Sequence, residues 1–111
     1  VSTANTNRDG TGTIVDVLTG VAAGTKVNEI VVQATSSTTA GFVRLYYYDG
    51  TNTRLYREVA VTAATPSGTV AAFRTSLTFD NLVLAGSTHK LQASTHNAES
   101  FNIQAFAGDL T

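Results

Sequence analysis

Apolar residues in this chain recur at every second position, in short runs rich in Val, Thr and Ile, and nowhere keep helical spacing for more than two turns. β-Branched side chains are stiff about χ1 and suit a pleated, half-buried surface better than a helix. The pattern therefore predicts short strands with turns between them and no helix to connect them. Read in order, Thr13 to Leu18 is the first strand, and Val27 to Thr35 the second, with Ile30, Val32 and Ala34 on one face. In the third, Val43, Leu45 and Tyr47 alternate with Arg44, Tyr46 and Tyr48. Asp49-Gly50-Thr51-Asn52 supplies turn chemistry before a fourth strand, Arg54 to Thr62, so these two form a hairpin. Phe73, Thr75, Leu77 and Phe79 line a fifth strand. Asp80-Asn81 breaks it, and Leu82 to Leu84 is a short sixth. Lys90 to Thr95 and Phe101 to Ala107 flank His96–Ser100 and read as a second hairpin.

About eight such strands predict an all-β fold, a two-sheet antiparallel sandwich that is jelly-roll-like, with the strand order left open. At 111 residues, 42% of them hydrophobic, the chain reads as one domain with a real but small core. Residues 1–12 carry no hydrophobic pattern and are expected to form an extended N-terminal arm, with 13–111 as the sandwich body.

Charge narrows the partner classes. Seven basic and eight acidic residues are spread without blocks, so the clustered Lys and Arg that nucleic-acid binding requires are missing. Apolar stretches are too short to span a bilayer as a helix, so no membrane partner is expected. The opening run Val1-Ser2-Thr3-Ala4-Asn5-Thr6-Asn7 is not a basic-then-apolar export signal, and the expectation is use without export. There is no cysteine for a disulfide or a thiolate site. Only 14% of residues are charged, which suits a protein packed among neighbours.

Several constellations bear on chemistry. Asn5, Asn7 and Asp9 before Gly10, with Asp16 twelfth in line from Asn5, partly match a calcium loop. Asn stands for the first Asp, Asp stands for the last Glu, and no helices flank the loop, so a polar arm ending in an Asp-Gly turn is the preferred reading. His89 and His96 read as residues at strand ends, since His96-x-x-Glu99 shares a face only on a helix. No metal or cofactor is expected. No serine stands in a nucleophile elbow, nothing brings two carboxylates together, and Gly10-x-Gly12 lacks a third glycine, so the chain reads as not an enzyme. Tyr46 and Tyr48 are expected outward beside Arg44. Two readings stand for them: a surface for sugars or protein partners, where Tyr and Arg are enriched, or cross-strand packing on Tyr56 and the Arg54 or Arg57 stem.

Three segments, NTNRDGTGTIVDV at 5–17, FVRLYYYDGTNTRLYREVAVTAATPSGTVAAF at 42–73 and LQASTHNAESFNIQAFAGDL at 91–110, resemble small structural proteins of tailed bacteriophages. The resemblance implies a head decoration or cement protein of the virion, made in the bacterial host cytoplasm and placed on the capsid surface. Such proteins are commonly sandwiches or jelly rolls, often homotrimers, that bind and stabilise neighbouring major capsid subunits. The expected partners are thus the major capsid protein and further copies of the chain. Within that expectation, Arg8 and Asp9 in the arm and Arg44, Tyr46 and Tyr48 on the sheet are the partner-binding candidates. The arm is expected to order only against a partner, because ordering each residue costs roughly 1–2 kcal/mol. The alternative is a carbohydrate-binding or tail-fibre-associated sandwich module using Arg44, Tyr46 and Tyr48 as its platform.

Overall fold

In a computed structural model describing residues 1–110, the period-two runs form seven strands and no helix occurs among the described residues. They are β1 (Val15–Thr19), β2 (Thr25–Ala34), β3 (Gly41–Tyr48), β4 (Thr53–Val61), β5 (Arg74–Leu84), β6 (Lys90–Thr95) and β7 (Phe101–Asp109). Two antiparallel sheets result, one ordered β1-β6-β3-β4 and the other β5-β2-β7. Their facing sides meet in one core. Val27, Ile30 and Val32 from β2 lie against Val43 and Leu45 from β3, with Leu84, Leu91 and Phe101 closing the ends. Each such side chain, fully buried, contributes about 1.5–3 kcal/mol from transfer out of water.

The all-β sandwich expected from the alternation is thus present, with seven strands where about eight were expected. The difference lies at Asp80-Asn81, which does not end the fifth strand. Val27 faces Leu82 and Glu29 faces Thr78, so β5 carries extra residues there and absorbs them as a bulge. The β3–β4 hairpin forms as expected. The second expected hairpin does not. β6 already has β1 on one edge and β3 on the other, so it has no edge left for β7. The chain at 96–100 instead arches across to the other sheet, where β7 pairs with β2. Asn97 and Glu99 pin that arch to the 39–40 segment: the Asn97 amide donates to Thr39 Oγ1 and the Ala40 carbonyl, and Glu99 Oε2 accepts from Thr39 N and Oγ1 at 2.8 Å.

Residues 1–12 do not extend away from the body. Val1 and Phe101 exchange backbone hydrogen bonds in both directions, and Asn5 N donates to the Thr95 carbonyl. The chain then crosses the outer face of the four-stranded sheet and returns to β1. The expected free arm is a strap on its own domain.

Candidate partner-binding surface

The strap is shaped by one buried side chain. Asn5 is only 5% exposed, and its amide nitrogen donates to the Thr11 and Thr13 carbonyls at 2.9 and 3.0 Å while its amide oxygen accepts from Asn7 N at 3.0 Å. These bonds close residues 5–13 into a compact loop of the Ω type. Two glycines are needed to close it. Gly10 and Gly12 both have φ near +85°, and a Cβ would sit 2.5 Å from the Thr53 carbonyl oxygen at the first and 2.7 Å from the Asn5 amide at the second.

Beneath the loop lie the outward residues of β3. Arg44 is wholly buried there and spends its guanidinium inside the chain. Its Nε contacts Glu58 Oε2 at 2.9 Å, one terminal nitrogen donates to the Asn5 carbonyl at 3.2 Å, and the other lies 3.2 Å from His96 Nδ1. A guanidinium can only donate, so His96 Nδ1 accepts and the imidazole carries its proton on Nε2. Arg8 reaches the same carboxylate from the strap, Nε to Oε2 at 2.6 Å, and the Arg8 and Arg44 guanidinium carbons stand 5.6 and 5.4 Å from the Phe42 ring centroid. The hydrogen bond from Arg8, then that from Arg44, holds the Glu58 carboxyl below the usual glutamate range against partial desolvation. Tyr46, also wholly buried, donates its hydroxyl to the Asn7 carbonyl at 2.9 Å.

The sequence-predicted candidates therefore divide. Alternation does place Arg44, Tyr46 and Tyr48 on the face away from the core, but the strap covers that face. Arg44 and Tyr46 are not available to a partner, because their polar atoms hold the strap's own carbonyls. Tyr48 is half-buried beside the Lys90 ammonium, which in turn meets Asp16 at 3.2 Å. Arg8 is 56% exposed yet tied to Glu58. Asp9 is exposed, but its carboxylate accepts from the Thr11 hydroxyl and amide, which keep it below its ordinary range. Of the side chains tested as a calcium loop, Asn5 Oδ1 accepts from Asn7 N, the Asn7 amide nitrogen donates to Thr11, Asp9 accepts from Thr11, and Asp16 accepts from Gln92 and Lys90. No group of three metal-binding side chains converges among the described residues.

The other broad surface is the outer face of β5-β2-β7. Val31 sits at its centre between Ser76 and Gln104, and one row along, Glu29 lies between Thr78 and Phe106. Phe106 is 51% exposed. Sequence reasoning passed over it, although its place one step out of phase with Ile103, Ala105 and Ala107 already put it outside. Glu58 and His96 were also passed over as parts of a charged cluster, although Glu58 lies directly opposite Arg44 in the β3–β4 pair; His96 reaches Arg44 only through the pairing of β6 with β3.

No family model, curated protein or solved structure matches this chain.

Proposed function

We propose that this chain is a non-enzymatic structural protein of a tailed-phage virion, a decoration or cement protein that binds and stabilises neighbouring major capsid subunits. The assignment to phage rests on the resemblance of residues 5–17, 42–73 and 91–110. The structural observation that supports a binding role is the outer face of β5-β2-β7: an open sheet with a half-exposed phenylalanine on it and Glu29 and Arg74 as the charges of its central rows. Aromatic residues are enriched where protein interfaces are driest. The same geometry tells against the carbohydrate-binding alternative as first drawn, because two of its three platform residues, Arg44 and Tyr46, lie under the strap.

The test is location. Labelled protein added to purified particles should decorate the icosahedral shell in electron micrographs, and Thr78→Arg, which sets a charge on the open face away from β7, should weaken retention by at least about tenfold. Label confined to the tail, or none on the particle, overturns the reading. Undiminished shell binding by Thr78→Arg removes this face from it.

A further inference from the structure

Four strands have a free edge in this sandwich: β1 and β4 in one sheet, β5 and β7 in the other. An edge of unpaired N–H and C=O groups is a template for another strand, and proteins commonly blunt it with charges, bulges or short length. Three of the four are blunted. β1 is five residues long with a bulge at Val17 and a charge at Asp16. β4 has a bulge at Tyr56 among Arg54, Arg57 and Glu58. β5 has its bulge at Asp80-Asn81 and begins on Arg74. β7 differs. From Phe101 to Gly108 it has no charge and no proline, and the irregularity in its pairing with β2 falls at Asn28 of β2, leaving β7 itself straight through the register.

We propose that β7 pairs antiparallel with β7 of a second copy of this chain, about a two-fold axis at Ala105. The proposal deepens the structural role above by naming a surface through which copies meet. The register follows from the strap. Val1 holds both the N–H and the C=O of Phe101 on the free side of β7. Two-residue alternation carries that outward direction to Ile103, Ala105 and Ala107, which have no partner strand there. With Phe101 already taken, the open stretch is centred on Ala105. About that axis Ala105 faces its own copy and Ile103 faces Ala107, so the N–H of each is bonded. Phe106 stands opposite the copy's Gln104, and the two Phe106 rings become diagonal neighbours about 7–8 Å apart, within aromatic reach. A two-fold strand pair sets each residue of 102–108 opposite another residue of the same stretch, so a stretch carrying charge of one sign would repel its copy. The neutrality of 101–108 is what an isologous contact needs. A second copy, in preference to a strand of unrelated sequence, is the occupant that this neutrality and this centring fit.

The test is sedimentation velocity of the full chain over a concentration series, with amide hydrogen exchange as a second readout. The expected result is a reversible monomer–dimer equilibrium, with Ile103, Ala105 and Ala107 amides becoming protected as concentration rises. Gln104→Lys with Phe106→Lys, both on the outer face, should weaken dimerisation by at least about tenfold while far-ultraviolet circular dichroism stays unchanged. Should that variant misfold, the concentration dependence of the three amides in the unaltered chain still decides. A chain monomeric at its highest soluble concentration, a dimer indifferent to the two lysines, or a trimer such as the phage resemblance implies would each overturn the pairing. Decoration of particles is read separately, so loss of the dimer and loss of shell binding are distinguishable.

Discussion

Replacing Asn5 tests what holds the strap down. Asn5→Ala removes three hydrogen bonds. At about 1 kcal/mol net for each, the loss is about 3 kcal/mol. The Thr11 and Thr13 carbonyls left behind belong to exposed residues that water can reach, so little further desolvation is added. For a chain of this size that corresponds to a fall in Tm of roughly 12 °C. Asn5→Asp is the sharper probe. It keeps the acceptor for Asn7 N–H but turns both donor bonds into a carboxylate facing two carbonyl oxygens at the same close range. It should therefore be the more damaging of the two at neutral pH. The sign of its pH dependence is fixed as well. Repulsion raises that carboxyl's pKa in the native state above its unfolded value, so the native state holds the proton more tightly. The deficit relative to wild type then shrinks as pH falls. A calcium loop predicts the reverse, because Asp at this position restores the first ligand of that pattern. Thermal melts of the three proteins across pH, with EGTA and with calcium, separate the two. Asn5→Asp matching wild type, or gaining stability with calcium, would refute the amide-clasp account; saturation at about a hundred times Kd would add roughly 2.7 kcal/mol.

Tyr46→Phe should cost about 1 kcal/mol by losing the bond to the Asn7 carbonyl, and Tyr46→Ala about 4 kcal/mol by also emptying a buried aromatic site; denaturant midpoints at unchanged m-value measure both. Glu58, held below its ordinary range by Arg8 and Arg44, contributes stability that is complete above the usual glutamate pKa and lost as pH falls through the lowered native value. Wild type should accordingly outlast Glu58→Gln at neutral pH and converge with it in acid, and melting curves that stay parallel down to about pH 3 would contradict this. Deleting residues 1–12 should lower Tm at least as far as Asn5→Ala does, whereas a merely disordered arm could be removed without effect.

The fold was legible wherever burial is one-sided. Ile30, Val32 and Ala34 declare the inner face of β2, and Val43 and Leu45 that of β3, because a period of two leaves a strand no other way to hide them. Pairing was less legible, since alternation says which way a side chain points and nothing about its neighbour strand. Phe101 follows Thr95 closely enough for a hairpin, and only the occupied edges of β6 forbid one. Asp80-Asn81 gave a true signal of irregularity that a bulge meets as well as a break does. The strap was missed for a different reason. Its order comes from polar atoms: the Asn5 amide, the Arg44 guanidinium and the Tyr46 hydroxyl. A reading that counts apolar side chains has no term for carbonyl groups held by buried donors. In retrospect, Arg44 and Tyr46 on a central strand needed partners, and the nearby run of Asn, Asp and Gly was the segment with carbonyls to offer.

The position of β2 between β5 and β7 has a consequence for the order in which the molecule can be made. Both neighbours of β2 come later in the sequence, β7 near its far end, and the strap that begins at Val1 closes on Thr95 and Phe101. During synthesis the early segments must wait for late ones, and such non-local closure predicts folding on the millisecond-to-second scale. The strap waits at no hazard, being nearly all polar. β2 does not: Val27, Ile30, Val31 and Val32 form an unpaired, strongly β-prone stretch until their partners emerge. Chaperone protection of the nascent chain is thus expected to centre on residues 27–34 and to end only when β7 has left the ribosome.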